Sequence, residues 1–178
     1  MNKLFKTRCY LIGNMEYEDG QNWRNTVTEE LKDLNITFFN PYFKPFLNEI
    51  KEDEEARNAL DVLRSNGDFT TIHERMKQVR SDDLRLCDLS DWFIAYIKPT
   101  VPTFGSVEEL VTAVKMKKPI FVVIEGGRRK CPYWIFGMLP PKYLYDSLES
   151  CVYMIKGIDS GNIQIDSTRW RLLKEDFR

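Results

Sequence analysis

The chain has 178 residues, 43% hydrophobic and 30% charged, which suits one domain with a core large enough to fold unaided. Its 26 lysines and arginines nearly cancel 27 aspartates and glutamates, and their scatter leaves no electrostatic footprint for duplex nucleic acid or an anionic membrane. Four cysteines without a CxxC pair and one histidine, His73, exclude a zinc set and leave little room for Ser/His/Asp or Cys/His catalysis.

Arg8 to Gly13 (RCYLIG) is a short apolar run ending in glycine, the pattern of a central strand running into a loop. Trp23, Val27, Leu31 and Leu34 then recur on one helical face, with Asn22 as the expected cap. Ile36 to Asn40 is a second strand, stopped by Pro41. Strand, helix, strand with short joints predicts parallel pairing through a right-handed crossover. From Lys44 to Phe69 the composition turns charged, which predicts an exposed helical insertion over about 44–69, closed by Asn66-Gly67. Thr70 to Leu89 is a further helical stretch carrying Asp82 and Asp83 towards its end, where the helix dipole disfavours negative charge.

The stretch from Trp92 to Val123 organises the rest, because it reads as buried strand, glycine-containing loop, helix and second buried strand. Its helix is expected to bury Val107, Leu110, Val111 and Val114, with Ser106 as N-cap and Glu108 and Glu109 in the first turn. Periodicity alone leaves those two glutamates as rivals. Lys117-Lys118-Pro119 ends the helix before the strand Ile120 to Glu125. The whole predicts an α/β fold over 1–178, a three-layer Rossmann-like (flavodoxin-like) arrangement with a mostly parallel sheet and helices on both faces. Ligands of such sheets sit beyond the carboxyl ends of the strands, so the loop Lys98 to Ser106 is the expected floor of a site. A dinucleotide or flavin is disfavoured, since GNMEYEDGQNW lacks GxGxxG. Beyond Gly126-Gly127 the reading is an aromatic loop, a short helix near Lys142 to Leu148, an edge strand Cys151 to Ile155 and a C-terminal helix Ser167 to Phe177. Trp134 and Phe136 suit either a base-stacking lid or interface and core aromatics.

Three segments in order resemble the nucleoside 2-deoxyribosyltransferase family and the related deoxynucleotide N-glycosidases. They are Tyr10-Leu11-Ile12-Gly13, then Asp83-Leu84 followed by Ser90-Asp91 and an apolar strand, then Gly105-Ser106-Val107-Glu108-Glu109-Leu110 with Ala113 and Lys118-Pro119. Asp19 to Arg24 (DGQNWR) is similar to the entry to the first helix in phage-type members. The resemblance implies Glu109 as nucleophile, Tyr10 as its hydrogen-bond partner and Asp83 as the group that helps bind substrate and manages the proton at the base. It implies a homo-oligomer in which a neighbouring chain helps close each pocket, with Pro132 to Met138 as the place to look for that contact. Where transferases of the family place a further aspartate just before the glycine, this chain has Thr103 and Phe104.

The chemistry fits these residue types. A carboxylate opposite the leaving base traps an oxocarbenium-like centre as a covalent glycosyl-enzyme, and the base leaves once protonated. Gly13, Asn14, Met15, Asp19, Trp23, Thr103, Gly105 and Ser106 are the expected binding residues, and Ser106 at a helix start suits a phosphate. The expectation is therefore a cytoplasmic enzyme needing no cofactor or metal, acting on a small nucleoside or nucleotide and touching neither duplex nucleic acid nor membrane. Its alternatives are a nucleoside 5′-monophosphate hydrolase and a nucleotide-binding module without turnover.

Overall fold

The computed structural model describes residues 2–15, 19–43, 54–101, 103–165 and 168–173. Apolar runs bounded by glycine, proline or charged turns form five strands: β1 (Arg8–Gly13), β2 (Thr37–Phe39), β3 (Trp92–Ile97), β4 (Ile120–Ile124) and β5 (Leu144–Tyr145). Six helices accompany them among the described residues: α1 (Asp19–Glu30), α2 (Glu54–Ser65), α3 (Phe69–Leu89), α4 (Phe104–Lys115), α5 (Tyr133–Met138) and α6 (Leu148–Ser160). The strands pair in the order β2-β1-β3-β4-β5, and every pairing is parallel. This is the flavodoxin-like three-layer fold predicted, with a sheet that is wholly rather than mostly parallel. Strand order reverses between β1 and β3, the position beyond whose carboxyl ends sheets of this kind place their ligands.

Successive residues of β1 face opposite layers. Cys9 and Leu11 pack with Trp23 and Val27 of α1, with Leu31 just beyond it, and with Val152 and Ile155 of α6. Tyr10 and Ile12 pack with Leu86 and Cys87 of α3, Leu110 and Ala113 of α4 and Ile135 of α5. Both faces are covered, which is why the strands read as unbroken apolar runs.

Several expected boundaries shift. Helix α1 begins at Asp19, so Asn22 lies inside it, and it gives way to a 3-10 turn, Lys32–Leu34, closed by Asn35 in the left-handed region at φ 52. Thr103, not Ser106, is the N-cap of α4, which places Ser106 third in the helix and both glutamates beyond its first turn. The buried stripe of α4 is Ser106, Glu109, Leu110 and Ala113, and Val107 is 51% exposed. Apolar periodicity misplaces this face because a carboxylate belongs to it.

Residues 151–155, expected as an edge strand, lie in α6, which a reciprocal Ser147–Ser150 capping box opens and Gly161 closes at φ 84. Packing against the sheet overrides the strand propensity of CVYMI. The helix expected near 142–148 is instead a 3-10 turn, Pro141–Tyr143, running into edge strand β5. Of the charged insertion, 44–53 fall outside the described residues; the rest is α2 and the turn to Asp68, whose side chain caps α3 by accepting from Thr71 N–H. Of the expected C-terminal helix, 168–173 hold a 3-10 turn, Arg171–Leu173, and the remainder lies outside the described residues. Among the described residues no helix is long and apolar enough to cross a membrane.

Burial pushes several neutral acids upward: the thiols of Cys9, Cys87 and Cys151 and the phenols of Tyr10 and Tyr145. In the unfolded chain these groups ionise at about 8.5 to 10. The stability they contribute is full below that range and is lost as pH rises through it towards the folded values. The melting temperature is therefore expected to fall by roughly 5 °C or more between pH 7.5 and 10.5. An unchanged thermal melt across that interval would contradict the burial of these groups.

Candidate active site

Tyr10 is the third residue of β1, and strand alternation turns its ring to the α3–α4 side. There its hydroxyl donates a 2.7 Å hydrogen bond to Oε1 of Glu109. Tyr10 is fully buried and Glu109 is 7% exposed. Burial above all, then the negative charges of Glu109 and Asp83, pushes the phenol far above its ordinary value. It thus remains the donor, and it fixes the orientation of the carboxylate that accepts. Asp83 stands half-buried on α3, and its charge acts on Tyr10, on Cys87 and on Arg24. Strand β1 and helices α3 and α4 so bring Tyr10, Asp83 and Glu109 together.

Glu108 points elsewhere. Arg80 of α3 donates through Nε to its Oε2 at 2.8 Å and through Nη2 to its Oε1, at the surface. The guanidinium holds the Glu108 carboxyl below the usual carboxylate range. A step of one residue, about 100° around the helix, separates a buried carboxylate from one tied off outside.

The other wall is the turn ending β1. Gly13 packs so closely that a Cβ there would lie 3.0 Å from Cζ2 of Trp23 and 3.0 Å from the Tyr96 carbonyl oxygen. Trp23 stacks on Tyr96 with ring centroids 5.4 Å apart and planes 17° from parallel. Behind the turn lies Arg24, fully buried. Its Nε donates to Leu11 O at 3.2 Å, Nη1 to Asn14 O at 3.1 Å and Gly20 O at 2.6 Å, and Nη2 to Gly13 O at 2.8 Å. Desolvation pulls this guanidinium down to about 10, while the fields of Tyr42, Tyr10, Glu109 and Asp83 act the other way, so it is charged at neutral pH. Met15 O accepts from Tyr42 Oη at 3.0 Å and from Arg57 Nη2 of α2 at 3.2 Å.

Gly13, Asn14 and Met15 therefore form one turn, and Trp23 of α1 packs against it at Gly13. Asp19 opens α1, but its side chain lies outside the described residues. Thr103, Gly105 and Ser106 stand at the start of α4, within two turns of Glu109. Ser106 is buried, Thr103 makes no side-chain cap, and a Cβ at Gly105 would meet nothing within 4 Å. On α5, Tyr133 and Trp134 are 94% and 80% exposed and Ile135 turns inward. Among the described residues no three His, Cys, Asp or Glu side chains gather as a metal set. Sequence reasoning missed Arg24, Tyr42 and Arg57 as supports of the site. The available signal was Gly20 four residues before Arg24, which sets a close-packed position one helical turn from a long cation.

No family model matches the chain, and no curated protein does either. Solved structures do share its fold. A 2-deoxyribosyltransferase from Bacillus psychrosaccharolyticus superposes with a TM-score of 0.58 at 16% identity, covering 92% of this chain and 96% of that one. A conserved protein from Enterococcus faecalis gives 0.56 at 13%, covering 86% and 99%. A CMP N-glycosidase from Clostridium botulinum gives 0.49 at 16%, covering 84% and 98%. At these identities the first two likenesses, both above 0.5, establish the three-layer fold alone.

Proposed function

We propose that this chain is an enzyme of the nucleoside 2-deoxyribosyltransferase kind, which breaks the N-glycosidic bond of a deoxynucleoside or deoxynucleotide through a covalent glycosyl-Glu109. The observation that carries the reading is the buried 2.7 Å hydrogen bond from Tyr10 to Glu109. A carboxylate withdrawn from water, oriented by a phenol and set beside a second carboxylate at the strand-order reversal has no evident use as a surface group.

In the first half-reaction a Glu109 oxygen attacks C1′ from the face opposite the base. The C1′–N bond breaks, a C1′–O ester forms, and Asp83, directly or through water, passes a proton to the departing base. Tyr10 keeps the carboxylate in line and holds the oxygen that does not attack. In the second half a new base, or water, gives a proton back to Asp83 and attacks C1′ as the Glu109 carboxylate leaves, so transfer and hydrolysis differ only in the acceptor. The exposed Tyr133 and Trp134 favour a homo-oligomer that covers them.

The test is to incubate the protein with deoxynucleosides and deoxynucleoside 5′-monophosphates, with and without a second free base, and to follow free and exchanged base by chromatography. Exchange marks a transferase, base release without an acceptor marks a hydrolase, and neither reaction from any substrate overturns the reading. Glu108→Gln is expected to leave turnover within about threefold and stability within about 1 kcal/mol, because its partner Arg80 is exposed. A collapse of activity in that variant would move the chemistry to the wrong glutamate.

A further inference from the structure

Folding gathers basic residues that the sequence scatters. Arg8, Lys117, Lys118, Arg169 and Arg171 line one open cavity of about 350 Å³, and every residue of its lining is a described one. Arg8 begins β1, Asp91 stands just before β3 and Pro119 just before β4, so the cavity lies at the amino ends of the parallel strands. Gly13 ends β1 at the other side of the sheet, roughly 16 Å away along the strand. No lining residue belongs to the site around Glu109.

Two of these cations are already answered. Arg8 is tied to Asp91, through Nε to Oδ2 at 3.2 Å and through Nη2 to Oδ1 at 3.0 Å. Lys118 Nζ donates to the carbonyls of Cys87 at 3.0 Å and Asp88 at 2.8 Å at the end of α3, and the field of the Asp88 carboxylate acts on it. Its third N–H remains to be given. Arg169 spends one bond on Lys118 O at 3.2 Å and lays its guanidinium over Tyr143, 5.3 Å from the ring centroid. Asp88 and Asp91 are the acids of the lining, and among the described residues no carboxylate pairs with Lys117, Arg169 or Arg171. Positive charge is therefore left over at one spot, in a chain whose net charge is -1. Like charges held together repel unless an anion shares their space.

The backbone points the same way. Lys117 lies at φ 55, just past the C-cap Met116, where glycine would end α4 with less strain. A lysine there sets a cation at the rim of the cavity. Met116, Pro119 and Leu172 supply apolar surface beside the charges. The volume falls at the lower end of small-molecule sites, roughly 300 to 1,000 Å³, and is more than ten times the roughly 30 Å³ of one water. A bare ion would leave most of it unfilled.

We infer that this cavity is a second binding site, for a small organic phosphate whose oxygens meet Lys117, Lys118, Arg169 and Arg171 and whose organic part rests on Met116, Pro119 and Leu172. Guanidinium forks match phosphate oxygens two at a time, and a phosphate carries up to about two charges where a carboxylate carries one. The inference is independent of the glycosidic reading, since the two sites share no residue.

The experiment is calorimetric titration of the full chain with phenyl phosphate, inorganic phosphate and phenol. Phenyl phosphate is expected to bind about tenfold more tightly than inorganic phosphate, and phenol not at all. Lys117→Gly removes a cation and suits φ 55, so its melting temperature should be no lower than that of the wild type. Arg171→Gln alters an exposed side chain and should also fold. Each substitution is expected to weaken phenyl phosphate by about three- to tenfold, and the two together by more than about tenfold. Unchanged affinity in the double variant, equal affinity for the two phosphates, or no binding of phenyl phosphate overturns the site.

Discussion

Glu109→Gln gives a folded protein whose turnover falls on the order of 10⁴-fold. Glutamine keeps the shape of the side chain and an oxygen that accepts from Tyr10, so the buried hydrogen bond at 2.7 Å survives in kind. What disappears is the negative charge that the proposed mechanism directs at C1′, and an amide is no substitute. Because the loss is chemical, the substrate affinity and the melting temperature stay near their starting values. Mass spectrometry of acid-quenched wild-type protein should find a deoxyribosyl adduct on the peptide that carries Glu109, and the variant should yield none. Turnover within tenfold of wild type would remove Glu109 from the reaction.

Arg24→Met lowers stability by about 3–5 kcal/mol, the range for taking one partner from a buried charged network. Four carbonyls lose their donor at once: Leu11, Gly13, Asn14 and Gly20. Methionine fills much of the volume but offers no N–H, so the cost is that of stranded acceptors rather than of a hole. Lysine is no remedy, since one ammonium lacks the planar fork that reaches four oxygens in three directions. Urea denaturation reads the difference directly, and a shift below about 1 kcal/mol would mean that the turn holds itself. Substrate affinity is expected to fall in the same variant, since the turn that Arg24 braces carries Asn14 and Met15.

The central strands were legible because a strand buried on both faces is a run of apolar residues needing no partner to be recognised, as in β1, β3 and β4. Helix α6 was not, although its buried Cys151, Val152, Ile155 and Ile158 keep helical spacing. A window ending at Ile155 sees strand-forming residues and loses the next turn. Glu109 was legible only through the resemblance, since a buried carboxylate on a helix stripe looks polar to any periodicity. Arg24 was illegible for a related reason. Nothing local distinguishes a solvated arginine from one whose three nitrogens all donate to backbone carbonyls of the strand, turn and helix packed around it.

The sheet narrows outward, from six residues in β1 and β3 to three in β2 and two in β5. An exposed edge is a template on which a foreign chain can add itself, and its reach scales with the length of unpaired backbone. Borders this short give a stray strand almost nothing to zip onto. A parallel topology that assembles slowly from distant segments is thereby spared the intermolecular pairing to which long, flat margins lead, and the protein should tolerate concentration while it folds.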